Sequence, residues 1–260
     1  MHRTTRKLTL TEDGTTFRDR AAAILREVDA AAAELAERRG GLAGPLRLSA
    51  PLSFGVLHLG PALYAFLVEH PRIELSLELD DRFIDVAADG YDAVVRIGQV
   101  ADNRLVAHQL APSRRELVAA PSYLARHGQP SALTELSHHR AIIYANRGAA
   151  DWRFRTDGGM AIAHPSVALR VNNGDAMRDA AEAGLGLALL PTFIVSAAIA
   201  AGRLIPCDIG AEAETDTVQL VYPKSRGVPN KVKLLTAHLR AHFGVPPYWD
   251  RVAKPEAGGS

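Results

Sequence analysis

Two registers of apolar spacing run along the chain, and the switches between them mark its elements. Leu46 and Leu48 flank Arg47, a period of two that predicts a strand ended by Ala50-Pro51, since proline offers no amide to a ladder. The register then changes. Val56, Leu59, Leu63, Phe66 and Leu67 recur at helical spacing, with Ser53 as the expected N-cap and His70-Pro71 as the stop. Ile73, Leu75, Leu77 and Leu79 return to a period of two. A strand feeding a helix N-terminus leaves free N–H groups at the strand's carboxyl edge, where α/β folds bind ligands, so residues 51–54 are the first candidates for a small-molecule site.

Upstream lies a longer helical pattern. Thr11 with Glu12 and Asp13 reads as a helix start. Phe17, Ala21, Ile24, Val28, Ala31 and Leu35 follow at separations of 4, 3, 4, 3 and 4, a heptad seam with charged residues on the other faces. At ~1.5 Å per residue a helix over 12–39 would be about 40 Å long. It either lies on its own domain or pairs with another helix. The narrow seam and the break at Gly40-Gly41 and Gly44-Pro45 favour pairing.

Downstream, strands and helices alternate. A short helix is expected over 83–87, ending at Gly90, then a buried strand over Ala93–Gly98 and further strands at 105–110, 116–120, 140–145, 152–155, 167–171, 187–190 and 218–222. Between them come a helix from Pro121-Ser122 to Gly128, a single turn at 133–136, a helix capped within Asn172-Asn173-Gly174-Asp175, and one from Pro191 to Ala201. Asn230–Phe243, with Val232, Leu235, Leu239 and Phe243 on one face, reads as the final helix, and the tail from Pro246 as poorly ordered. Such alternation argues for open parallel α/β sheets.

Composition narrows the classes. The chain has 260 residues, 47% hydrophobic and 23% charged, with a formal net charge of +1, so nothing global demands nucleic acid or a membrane. The single Cys207 excludes an internal disulfide and a multi-cysteine metal site. Residues 1–20 carry Arg3, Arg6, Lys7 and Arg18 without a continuous apolar core, and the longest apolar run, 185–191, is far short of a membrane span. A cytoplasmic protein is expected. His138-His139 lacks spaced partners for a metal, Gly184-Leu185-Gly186 precedes a strand rather than following one, Asp80-Asp81 reads as a solvated turn, and no nucleophile elbow is present. No enzyme and no cofactor is expected.

Four stretches together, in this order, resemble the LysR-type transcriptional regulators, from about Arg3 to Phe243. RTTRKLTLTEDG is similar to the last strand of the family's winged helix-turn-helix and the start of its linker helix; GPLRLSAPLSFGVLHLGPALYAFLVEHP is similar to the opening of its effector-binding domain; GYDAVVRIG and GLGLALLP are similar to its later signatures. The resemblance implies a type 2 periplasmic-binding-protein-like fold: two α/β subdomains joined by two crossover strands, with an effector in the cleft, preceded by a long linker helix. It divides the chain into a wing remnant at 1–11, a linker and dimerisation helix at 12–41, an effector-binding domain at 45–245 (subdomain I at 45–112 and 222–245, subdomain II at 113–217) and a tail at 246–260.

The resemblance implies that the effector touches Ser49, Pro51, Leu52, Ser53, Phe54, Arg96, Ile97, Gly98, Tyr144, Asn172, Asn173 and Thr192, with Pro191 beside the last. The helix N-terminus at Ser53 suits a carboxylate effector. Ser53 and Asn173 can equally be plain helix caps, Arg96 can pair with Asp92 instead, and Tyr144 can sit in a core. Expected partners are a small-molecule effector, a second copy of the chain as dimer or tetramer, and, in the full-length form, DNA, with Arg3, Arg6 and Lys7 on its phosphates. Family members carry a recognition helix ahead of RTTR, so Met1 is expected to be either a misassigned start or a true truncation. A heterodimerising effector module and a solute-binding protein are the alternative readings.

Overall fold

In a computed structural model, residues 42–82, 86, 90–147, 152–224 and 230–252 are described, with residues 11–18, 20, 21, 24, 25 and 28 of an N-terminal helical stretch. Thr11 caps that stretch as its sequence implies, its Oγ1 accepting from Gly14 N at 3.1 Å. Phe17, Ile24 and Val28 are strongly exposed and Ala21 half-buried. Ala31 and Leu35 of the seam, Arg3, Arg6 and Lys7, and most of the helix expected over 83–87 lie outside the described residues.

The body is built on two five-stranded sheets. Strand β1 (Gly44–Ala50) buries Leu46 and Leu48 and runs parallel to β2 (Ile73–Leu79) along its whole length, from Gly44↔Ile73 to Ala50↔Leu79. Helix α1 (Leu52–Glu69) makes the crossover between them. Strand β3 (Ala93–Ile97) lies parallel on the other side of β1, and β4 (Leu105–Ser113) forms the far edge. The chain then passes directly into β5 (Arg115–Ala119) of the second sheet. That sheet continues with β6 (Arg140–Tyr144), which follows helix α2 (Pro121–His127) and a 3-10 turn (Leu133–His138), and is completed by three strands further along the chain. A hairpin of β7 (Arg153–Thr156) and β8 (Gly159–Ile162) comes next, then β9 (Ser166–Val171), helix α3 (Gly174–Glu182), β10 (Leu187–Pro191), helix α4 (Thr192–Ala200) and β11 (Ile205–Pro206). After β12 (Glu212–Ala213) the chain returns to the first sheet as β13 (Asp216–Pro223).

Both sheets are mixed, not purely parallel as expected. Strand β13 is antiparallel to β3 and β4, and β5 is antiparallel to β10. These are the strands by which the chain crosses between subdomains, so their direction follows from where they enter rather than from a helical crossover within one sheet. The result is an α/β fold of two subdomains with a cleft between them.

Helix α1 departs from its sequence pattern. Its turn Gly55–Leu59 is a π segment, which rotates the face: Phe54, His58, Leu59, Leu63 and Phe66 are buried, whereas Val56, placed on the core face by its spacing, is 59% exposed. Gly55 allows the close approach to β2, because a Cβ there would lie 2.2 Å from Leu79 Cδ2. By length and composition α1 is apolar enough to cross a membrane, although no long apolar run stands out in the sequence; half of it is buried within the fold.

Helix α5 (Asn230–Phe243) buries Val232, Leu235, Leu239 and Phe243 completely, the face its spacing predicts. The chain does not end there in a loose tail. Helix α6 (Tyr248–Val252) follows, and its Trp249 is 1% exposed within an aromatic cluster. The Trp249 ring centroid is 4.6 Å from that of His58, 5.3 Å from Phe243, 5.9 Å from Phe54 and 6.4 Å from Phe193. His58 adds two hydrogen bonds, Nδ1 to Tyr248 Oη at 2.6 Å and Nε2 to Phe193 O at 2.9 Å. Aromatic clustering supplies what the short, non-periodic sequence of α6 does not advertise.

Candidate functional site: a cleft between the two sheets

The carboxyl ends of β1, β3, β6 and β10 converge on a cavity of about 610 Å³, within the size range of small-molecule sites. The first subdomain contributes Ser49, the opening turn of α1, the loop Asp80–Arg82, the end of β3 and Asp216. The second contributes Arg115, the loop after β6, Gly174 and Met177 of α3, and Leu189–Ile194 except Thr192. Phe54, Phe193, Ile194 and Met177 make the apolar walls, while four arginines (82, 96, 115, 147) face three aspartates (80, 81, 216), a formal surplus of one positive charge.

Of the residues expected to touch an effector, Ser49, Pro51, Ser53, Phe54, Arg96, Ile97 and Tyr144 line this cavity. Leu52, Gly98, Asn172, Asn173 and Thr192 do not. The Leu52 side chain is 39% exposed and only its amide turns inward. Gly98 is held by strand contacts, donating to Thr217 O at 3.0 Å and accepting from Gln219 Nε2 at 2.6 Å. Asn172 is exposed, and Thr192, 1% exposed, turns both N–H and hydroxyl to Arg114 O at 2.8 and 3.3 Å. Asn173 is a true N-cap, its Oδ1 accepting from Ala176 N at 3.0 Å.

Ser53 is not the cap of α1. Pro51 occupies that position with no side-chain bond, and the carboxylate of Asp81 takes its place: Leu52 N donates to Asp81 Oδ1 at 2.9 Å. Asp81 is therefore not merely part of a solvated turn. Asp81 reaches the second subdomain as well, its Oδ2 lying 3.4 Å from Asn173 Nδ2 and its carbonyl 3.1 Å from Asn146 Nδ2. A second bridge joins Arg147 after β6 to Asp216 at 2.6 Å. Asp80 itself pairs with Arg82, whose hydrogen bonds hold its carboxyl below the usual value of 3.8.

The capping role having passed to Asp81, the Ser53 hydroxyl is buried with no hydrogen-bond partner, as is that of Ser49. A buried hydroxyl left unsatisfied is costly, and both line the cavity. Gly174 faces Ser53 across it: a Cβ on Gly174 would stand 3.5 Å from Ser53 Oγ and 2.4 Å from Ile194 Cδ1. Two helix N-termini, those of α1 and α3, thus meet at one cavity.

The family model described as the LysR substrate binding domain matches residues 39–244, which include both walls of this cleft. The chain belongs to the LysR-type transcriptional regulators. It is 33% identical over 236 residues to an HTH-type transcriptional regulator of Haemophilus influenzae, covering 89% of this chain and 81% of that protein. It is 33% identical over 248 residues to the HTH-type transcriptional regulator CrgA of Neisseria meningitidis, covering 94% and 82%. The solved regulatory domain of CrgA superposes with a TM-score of 0.69 at 26% identity, covering 78% of this chain and all of that domain. As a LysR-type regulator the chain is ligand-responsive, and the cleft is its candidate ligand site.

The remaining candidates of this LysR-type chain are structural. His139 is buried with Nδ1 3.2 Å from Tyr123 Oη, and among the described residues no group of three or more His, Cys, Asp or Glu side chains could hold a metal. Arg147, Met177 and Phe193 line the cleft without having been marked by the sequence, and Arg115 and Asp81 line it although their sequence context points elsewhere. For Phe193 a signal existed, since it is the second residue after a proline N-cap in the helix following β10, as Ser53 is in the helix following β1.

Proposed function

We propose that this chain is the effector-sensing part of a cytoplasmic LysR-type regulator, and that its effector is a small carboxylate with an apolar body, bound in the cleft and not transformed there. One observation carries the reading: a cavity of about 610 Å³ between the two subdomains combines apolar walls with a surplus of one positive charge and two helix N-termini. A ligand touching both walls shifts their relative position only through its differential affinity for the arrangements available to them. Such a shift reaches DNA through a second copy of the chain, paired along the seam of Phe17, Ala21, Ile24, Val28, Ala31 and Leu35, of which the three exposed apolar side chains in the described part favour a partner.

The test is a melting screen of the chain against small aliphatic and aromatic carboxylates, each paired with its uncharged amide. Carboxylates are expected to raise the melting temperature and their amides not to, with the effect reduced in Ser49→Ala and Ser53→Ala. Stabilisation by amides and acids alike would refute the carboxylate assignment.

A further inference from the structure

The anion position at the α1 N-terminus is already filled by the protein itself. Asp81 Oδ1 accepts the first amide of this 18-residue helix at 2.9 Å, the contact a bound carboxylate would make there. The next residue, Ser53, is 5% exposed, and its hydroxyl, like that of the fully buried Ser49, lines the cavity with no partner. The site therefore holds a carboxylate on its amide and still leaves two hydroxyls unsatisfied beside it, a set that a larger oxyanion can complete and Asp81 does not. The same Asp81 carboxylate is tied across the cleft to Asn173 Nδ2 through Oδ2 at 3.4 Å, while the Asp81 backbone carbonyl accepts from Asn146.

We propose that Asp81 is a tethered competitor for the effector's carboxylate: it occupies the anion position when the cleft is empty, and the effector displaces it, releasing its contact to Asn173. This rests on the carboxylate reading of the cleft and adds its regulation. Displacement lowers the apparent affinity for any anion and makes loss of a cross-cleft contact part of binding. If Asp81 holds the position nine-tenths of the time, apparent affinity falls about tenfold.

Benzoate is a suitable probe, matching one charge and the apolar walls, with benzamide as its uncharged counterpart. Calorimetric titration of the whole chain is expected to give benzoate binding about tenfold tighter in Asp81→Ala than in wild type, with benzamide unchanged. Asp81→Asn keeps an oxygen acceptor for Leu52 N but loses the charge; it guards against a folding defect in Asp81→Ala and is expected to bind benzoate more tightly than wild type. In wild type, added benzoate is expected to move the ¹⁵N signals of the Leu52 amide and of the Asn173 side chain together. Benzoate binding equal in wild type and both variants, yet weakened in Ser53→Ala, overturns the competitor role and leaves the carboxylate reading standing. Tightening of benzamide along with benzoate also overturns it, since that is gained volume and not a vacated anion position. No benzoate binding by any folded variant overturns both.

Discussion

Trp249 is the sharpest test of the fold, because its sequence context predicts a loose tail and the structure places it in the core. It is 1% exposed, and its ring meets His58 and Phe54 of α1, Phe243 of α5 and Phe193 of α4, so one side chain joins elements of both subdomains. A buried tryptophan removes about 200 Å² from water, worth roughly 5 kcal/mol at ~25 cal/mol per Å², an upper figure because the unfolded chain already hides some surface. Truncation to alanine in cores costs about 3–5 kcal/mol, and about 4 kcal/mol is expected for Trp249→Ala. At a urea slope near 3 kcal/mol per M this moves the midpoint down by about 1.3 M. Trp249→Phe behaves differently. The indole Nε1 has no hydrogen-bond partner, so removing that buried N–H offsets much of the lost volume, and a change within about 1 kcal/mol is expected. Circular dichroism in urea measures both variants. Trp152, the other tryptophan of the chain, lies in the separate core of the second sheet and reports whether that core melts independently. A Trp249→Ala midpoint within about 0.3 M of wild type would refute the packed C-terminal helix.

His58 gives a pH dependence with a definite sign. Burial lowers its pKa from the ordinary 6.5, opposed by its bond to Phe193 O, so the unfolded chain takes up its proton first. Stability is full above about 6.5 and falls as pH drops toward the lowered value, with His139 and His242 acting in the same direction. Melting temperatures from pH 8 to 5.5 should show this fall, and a shallower one in His58→Gln; parallel curves would count against it. Gly174→Ala puts a methyl against the flexible end of Ile194 and opposite Ser53, at a stability change of about 1 kcal/mol or less, and should weaken benzoate binding severalfold; unchanged binding would remove α3 from the site. Val28→Glu, at a position 60% exposed in the seam, should convert a dimer to a folded monomer by light scattering, and a persistent dimer would exclude pairing through this helix.

The elements legible in the sequence are those whose cause is local. The face of α5, the Thr11 and Asn173 caps and the stop of β1 before Pro51 each depend on residues within one turn or one strand pair. The carboxyl edge of β1 was likewise legible as a cavity wall, because a strand leading into a helix leaves N–H groups there whatever surrounds it. Where an acceptor comes from far along the chain, local pattern misleads. Ser53 looks like a cap, yet Asp81, 29 residues beyond Leu52, holds the Leu52 amide. Val56 follows helical spacing, but the π turn rotates it outward. Thr192 stands one residue into α4 and turns away from the cleft because Arg114 O, 78 residues earlier, takes its hydroxyl.

By itself, the sequence determined the family, the order of the longer strands and helices up to Phe243, and the neighbourhood of the cleft, since periodicity and motif order are properties of adjacent residues. Only the tertiary structure decided the chemistry of the cleft. Asp81 reaching Leu52, Arg147 reaching Asp216 and Trp249 closing over Phe54 and Phe193 are pairings that the two crossovers bring about. A hydrogen bond or ring contact needs a few ångströms of separation, and no local spacing specifies which distant residues the crossover strands will carry within that reach.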